Sequence, residues 1–325
     1  MSIRTRPGID PLIATMRIYT GCQKKSLGCL GIIILLLTSH VRTRAQDYTW
    51  WNEANNWDYM THWSKYIQIA PAHMGPNALP VPLSIKGRII TEDRLWLRAD
   101  GHWDAGDQTY NLFARWEVSV SDRVSFRVSM VPVEYYQTDE ATRDRMSSRD
   151  EDSRGLSVGD LYIGTDIQIV RDHANWPDLA LSVNLKTASG NNFFAARFTD
   201  TPGYSFDLSA GDQLIDGEQF QLRWFANAGL YVWQTNREDY FQNDAFLYAG
   251  GLIFHWDKLQ ISPSLAGYYG YIGEGDRPVL ARVETELQAS DHWTYTLLLQ
   301  QGLNDYPYFS SGVGLRYRFS GSLLR

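Results

Sequence analysis

Arginines, lysines and carboxylates recur at alternate positions through most of this 325-residue chain. On one parity stand Arg94, Arg98, Arg115, Arg127, Lys186, Arg223, Arg282, Arg316 and Arg318, set against Asp100, Glu117, Asp160, Asp166, Asp207, Glu284 and Glu286. If these groups share a confined interior, opposite charges pair across it, because an unpaired buried charge is costly. If water fills the interior, they form a slightly basic ladder that admits small polar or anionic solutes. Arg282, Glu284 and Glu286 on one run, with Arg316 and Arg318 on the last, are the densest cluster. Asp100 and His102 add one acid–base pair of the kind a loop-built hydrolase would use. An interfacial histidine bonded to loop backbone explains that pair as well. No Gly-x-Ser-x-Gly and no His-Glu-x-x-His is present. Asp150-Glu151-Asp152 has the charge for calcium but not the EF-hand spacing, which favours a solvated loop. Asn191-Asn192-Phe193-Phe194 is suited to touch a ligand or to fold into a mouth.

The opposite parity tells what must hold these groups. Leu95, Leu97, Ala99, Gly101 and Trp103 alternate with Arg94, Trp96, Arg98, Asp100 and His102. A β-strand points successive side chains to opposite faces, so one face is hydrocarbon and the other charged. Further apolar rows are Tyr110, Leu112, Ala114, Trp116, Val118; Val124, Phe126, Val128, Met130; Leu161, Ile163, Ile167, Ile169; and Leu179, Leu181, Val183, Leu185. A short sixth run (Tyr204, Phe206, Leu208) precedes Leu222, Trp224, Ala226, Leu230. The stretch 245–256 is apolar on both parities, so its facing is ambiguous. Rows through Leu265, Val283, Leu297 and Leu315 complete about twelve strands of roughly ten residues, the pattern of a transmembrane β-barrel.

Composition agrees. Hydrophobic residues are 44% of the chain and the mean hydropathy is -0.34, because only half of each strand would meet lipid. No apolar run reaches the roughly twenty residues of a spanning helix. The 12 Trp and 19 Tyr suit interfacial belts, and a net charge of -7 argues against nucleic acid as a partner. Connections alternate in length. Ser121-Asp122-Arg123, Trp256-Asp257-Lys258 and Ser290-Asp291-His292 share one turn grammar, whereas 137–157, 188–203 and 234–244 are long. Short turns on one side are periplasmic in outer-membrane barrels, and an even strand count places both chain ends there.

Lys24 and Lys25 before the apolar stretch 30–37, with Thr43-Arg44-Ala45 after it, read as an export signal over residues 1–45, with Met16 an alternative start. Cys22 and Cys29 both precede the cut, so the mature chain would carry no cysteine, disulfide, metal or cofactor site of that kind. Residues 46–90, rich in Trp and Pro, form an irregular periplasmic extension or a plug; 91–319 form the barrel and 320–325 a tail. The last strand closes Arg316-Tyr317-Arg318-Phe319, which resembles the aromatic terminal signal read by the barrel assembly machinery, here followed by six more residues. A lipocalin-like soluble barrel shares the alternation with its apolar face inward. Aromatics toward strand ends and the loop asymmetry favour the membrane form instead.

The alternation from 95 to 319, the Ser-Asp-Arg turns, Leu185-Lys186-Thr187-Ala188-Ser189-Gly190 and Phe225-Ala226-Asn227-Ala228-Gly229 resemble outer-membrane barrels of the phenol meta-pathway type. The resemblance covers about two thirds of the chain. It implies about twelve strands and an association with uptake of aromatic or hydrophobic compounds. The Pro of that family's Lys-x-Pro-x-Gly-like stretch is absent, and residues 46–90 have no counterpart. The expectation is therefore an all-β, antiparallel up-and-down transmembrane barrel, partnered by outer-membrane lipid and passing small solutes passively. The alternatives are a filled, non-conducting assembly partner and a hydrolase built around Asp100 and His102.

Overall fold

A computed structural model describes residues 47–320. The expected export signal, with Met16, Cys22 and Cys29, and the tail beyond Ser320 lie outside the described residues. The strands are β1 (Arg94–Trp103), β2 (Asp107–Ser121), β3 (Val124–Thr138), β4 (Arg154–Ser157), β5 (Tyr162–Val170), β6 (Asp178–Lys186), β7 (Gly203–Asp216), β8 (Gln221–Gln234), β9 (Gln242–Trp256), β10 (Leu259–Gly270), β11 (Val279–Gln288), β12 (Trp293–Asn304) and β13 (Phe309–Arg318). All but β4 pair antiparallel with their chain neighbours, and β13 pairs with β1 from Leu95↔Tyr317 to Trp103↔Phe309, which closes a twelve-stranded wall. The short β4 adds to the far end of β3 only. Closure leaves no unpaired edge in the wall, the condition for spanning lipid with strands.

The apolar parity faces out. Leu95, Leu97, Leu112, Val183, Leu265, Leu297, Val313 and Leu315 are 36–62% exposed in the isolated chain. In a soluble protein of this size such a continuous belt would be an aggregation surface; here it is the lipid face. Aromatic rings edge it at both ends. Trp103 contacts Tyr110 and Phe309 on the long-loop side, and Trp293, Tyr317 and Phe319 pack together on the short-turn side. The register slips between Leu112 and Ala114 opposite β3, and the outward row of β3 changes there from Val124–Met130 to Val133 and Tyr135. Pro132, which has no N–H to give, lies at this bulge.

Three local expectations change. The sixth strand in the wall (β7) is not short. It runs to Asp216, because Gly211-Asp212-Gln213 reads as a turn but continues the ladder to β8. Val118, expected outward, is buried just past the first residue of β1. The facing of β9 is settled: Phe246, Leu252 and Trp256 face out, while Ala245 and Leu247 join a buried cluster inside. Both of its parities are apolar because both faces are dry.

Residues from Ile67 to Asp93 occupy much of the interior. Helix α1 (Thr49–Ala54) sits on the long loop between β3 and β4, where Trp51 Nε1 donates to Ser147 O at 2.9 Å. The chain then descends the lumen and reaches the short-turn rim, where Asp93 bonds Ser119 N at 2.8 Å beside the start of β1. The barrel's own first and last strands do begin and end on the short-turn side, but Asp47 lies at the opposite mouth. The described chain thus starts at the long-loop mouth and crosses to the short-turn side before β1, because an irregular segment can run through the barrel where a strand cannot; the chain ends themselves lie outside the described residues.

Placing a charge on the outer face tests the lipid assignment. Leu97→Arg should lower barrel stability by about 2–4 kcal/mol in urea titrations with lipid vesicles, the usual cost of arginine near the bilayer midplane. A change within experimental error would exclude lipid contact at that position.

Candidate functional site

A proline-punctuated segment (Pro71, Pro76, Pro80, Pro82) cannot form a ladder of its own, so its backbone groups need partners from elsewhere. The wall supplies them with side chains. Trp233 Nε1 donates to Ile69 O at 3.3 Å, Tyr268 Oη to Leu79 O at 2.8 Å, and Arg282 Nη2 to Val81 O at 2.9 Å. Lower down, Gly87 N donates to Ser209 Oγ at 2.8 Å, Ile89 N to Gln168 Oε1 at 3.0 Å, and Gln168 Nε2 returns to Gly87 O at 2.8 Å. The segment's Ile69, Met74, Ala78, Leu79 and Val81 pack against Tyr231, Trp233, Leu247, Tyr268, Leu280, Tyr306 and Tyr308 of the inner wall and the β12–β13 loop. This is a hydrophobic core inside a membrane barrel.

Its anchor is Arg197, in the loop between β6 and β7. The side chain is fully buried, with Nη1 at 2.7 Å from Asp107 Oδ2, Nε at 2.9 Å from Glu134 Oε1 and Nη2 donating to Thr109 Oγ1 at 2.6 Å. Tyr308 Oη donates to the same Asp107 carboxylate at 2.9 Å, and Asn77 of the segment donates to Glu134 Oε2 at 2.7 Å. Burial opposes the charge of Arg197, but the Glu134 and Asp107 carboxylates outweigh it and hold its pKa above the ordinary arginine value. Gly75 is placed against the guanidinium, and a Cβ there would lie 2.6 Å from Arg197 Cζ. Neither Arg197 nor its partners Asp107, Glu134 and Asn77 was marked by the strand pattern. The available signal was a proline-rich stretch whose carbonyls and amides had no donors or acceptors nearby in sequence.

The charged residues expected along the inner parity fall into separate places. Arg98, Asp100, Arg115, Arg127, Lys186 and Arg282 border a cavity of about 160 Å³ that also touches Pro80, Val81 and Pro82 of the segment. Arg98 pairs with Asp100 at 2.5 Å and Lys186 with Asp160 at 2.7 Å; Arg127 pairs with Asp166. Arg223 bonds Asp178 at 3.0 Å and borders a second cavity, about 260 Å³, with Lys86, Arg88 and His255 near the short-turn end. Glu284 takes Lys86 of the segment at 3.1 Å, and Glu286 takes Arg316 at 2.6 Å. Glu117 lies 4.0 Å from Arg115 and opposite Arg94 in register, and Arg318 turns to Glu92 at the rim, 2.9 Å away. The cluster of Arg282 with Glu284, Glu286, Arg316 and Arg318 is therefore not one site, because the segment draws Arg282 and Glu284 to itself.

His102 is not at the interface and does not bond loop backbone. It is buried on the inner row, with Nδ1 at 2.8 Å from Ser310 Oγ and Nε2 at 2.8 Å from Asn111 Oδ1. Asn111 Oδ1 also accepts from Asn77 Nδ2 at 2.9 Å, so the histidine nitrogen facing it carries the proton and the other accepts from Ser310. The order serine–histidine–asparagine has the form of an activated nucleophile. His102 and Ser310 are, however, direct register partners across β1 and β13, and the network ends on the segment's Asn77. Its evident effect is to hold Asn77. In the long loops, Phe193 folds into the mouth against Trp63, with ring centroids 6.1 Å apart, and Asp150 accepts from Tyr136 Oη at 2.8 Å. Among the described residues no group of three or more His, Cys, Asp and Glu could hold a metal ion.

A closed antiparallel wall, an apolar outer belt between two aromatic rings and a polar interior define a transmembrane β-barrel, resident in the outer membrane of a Gram-negative cell. No protein-family model matches the chain, and no curated protein does. Among solved structures it is similar to an outer membrane channel from Pseudomonas putida F1 (13% identity, 74% of this chain and 100% of that one, TM-score 0.47). It is also similar to the KdgM porin in complex with disordered oligogalacturonate (9%, 69% and 99%, 0.44) and to the CymD monoaromatic hydrocarbon channel (9%, 78% and 98%, 0.39).

Removing the anchor leaves two buried carboxylates without a cation, a loss of about 3–5 kcal/mol. Arg197→Met should therefore lower the urea midpoint of the folded barrel, read as heat-modifiable gel mobility. Gly75→Ala should lower it less and loosen the segment, seen as faster proteolysis between residues 60 and 90.

Proposed function

We propose that the protein is a passive outer-membrane channel for small solutes whose passage is controlled by residues 47–93. The observation that carries this reading is that the segment fills the lumen without joining the wall. None of its residues pairs in the β-ladder, so it can shift while the twelve-stranded ladder stays intact. Near the rim it is held in part by groups that water can compete for, the contacts of the half-exposed Arg88 with Asp172 and Asp178. A cavity already persists beside it. The filled, non-conducting reading draws support from the hydrophobic core around Met74 and Leu79, and the same experiment separates the two.

Ser84 Oγ lies 3.4 Å from Ser209 Oγ, which suits a disulfide between segment and wall. In planar bilayers the reduced Ser84→Cys/Ser209→Cys protein should show discrete current steps, and oxidation should abolish most of them. Equal currents in both states would remove the segment's control. Silence even after deletion of residues 47–90 would remove the channel. With short turns periplasmic, Met60, 92% exposed at the long-loop mouth, faces the outside of the cell. Met60→Cys should accept a bulky polyethylene-glycol maleimide on intact cells; labelling only after lysis would reverse the orientation.

A further inference from the structure

We propose that the cavity beside the segment is a binding site for a small organic carboxylate. This deepens the channel reading, on which it rests for the route of entry, by naming what the lumen would hold. The argument begins with a charge inventory. Arg127 and Lys186 each have a carboxylate of their own in Asp166 and Asp160. Three guanidiniums remain around the cavity, those of Arg98, Arg115 and Arg282. Between them they bond one carboxylate, Asp100, at 2.5 Å from Arg98, while Glu117 stands off at 4.0 Å from Arg115. Arg282 is met by neutral acceptors, Gln300 Oε1 at 3.0 Å and the carbonyls of Val81 and Pro82.

Two guanidinium N–H atoms are left over: Arg98 Nη1 and Arg115 Nε are buried and without a hydrogen-bond partner, as are the Tyr162 and Tyr231 hydroxyls of the same lining and Asp160 Oδ2, whose contact is the ion pair with Lys186. The two guanidiniums lie 4.8 and 5.2 Å from the centre of the same Phe113 ring, and 4.9 and 5.4 Å from that of Trp96, so two like charges share the same pair of aromatic rings. Orphaned cationic N–H groups in a buried place cost more than any other side-chain donor. An anion in the cavity would meet them.

The cavity's lining narrows the class. Phe113, Leu298 and Tyr306 give it apolar wall beside the guanidiniums. Planar N–H donors match the two oxygens of a carboxylate, and the apolar wall takes a short hydrocarbon body. A monocarboxylate with a short apolar or aromatic body, such as benzoate, meets both requirements.

Isothermal titration of the detergent-purified protein with benzoate tests this, with benzylamine and benzyl alcohol as cationic and neutral counterparts. Benzoate should bind and the other two should not. Arg115→Gln, whose ion pair and ring contacts are all to the wall, should weaken benzoate at least tenfold, and Arg98→Gln should do the same; heat-modifiable mobility reports that each variant is folded. No benzoate heat in the unmodified protein, or unchanged affinity in either folded variant, overturns the site. Benzoate binding without bilayer current would leave the site standing and remove the channel. Current without benzoate binding would do the reverse.

Discussion

The structure depends on the satisfaction of an irregular backbone inside a closed wall. A chain crossing a barrel lumen away from bulk water must place each carbonyl and amide against a partner. Residues 69–89 find theirs in side chains spread around the ring: Trp233 on β8, Tyr268 on β10, Arg282 on β11, Gln168 on β5 and Ser209 on β7. Many inward positions thus serve the segment's backbone instead of a solute. This accounts for the inward tyrosines and Trp233 beside the expected charged row, and for the guanidinium of Arg282 facing carbonyls in place of acids.

The two halves of the segment are held by different physics. Above Pro82 the contacts are hydrophobic and aromatic, closed over by the buried Arg197 network. Below it they are ion pairs and hydroxyl contacts near the rim, such as Lys86 with Glu284 and Ser84 with Ser209. The lower half also carries the buried bonds of Gly87 and Ile89 to Ser209 and Gln168, so it is fastened by backbone hydrogen bonds where the upper half is fastened by apolar packing.

The wall was legible in the sequence because its rule is local. A period of two, read at Leu95 to Trp103 or at Leu179 to Leu185, reports which side meets lipid without knowledge of any other strand. The same rule failed where local and global signals diverge. Gly211-Asp212-Gln213 has turn chemistry yet is held extended by β6 and β8 neighbours. β9 gave no facing because its inner side meets the segment and not water. The site was legible only in part: Arg98, Arg115 and Arg127 stand on the inner row as the parity requires, but Arg197 comes from a loop and pairs with Asp107 and Glu134 across 90 and 63 residues of chain. No spacing in one sequence announces such a contact.

The distribution of charge follows from the same geometry. Where a carboxylate lies on the same strand, as for Arg98 with Asp100, or within reach two strands away, as for Arg316 with Glu286, the wall supplies the partner itself. Where the segment intrudes, it brings Lys86 and Arg88 to wall acids but only carbonyls to Arg282. The lining of the cavity beside the segment carries Arg98, Arg115, Arg127, Lys186 and Arg282 against Asp100 and Asp160, although the whole chain carries a net charge of -7. In a confined interior the charges near a group act on it far more strongly than the chain's overall charge does. The local balance of that lining, set by which wall acids the segment and the wall cations take up, is therefore the electrostatic property that the net charge conceals.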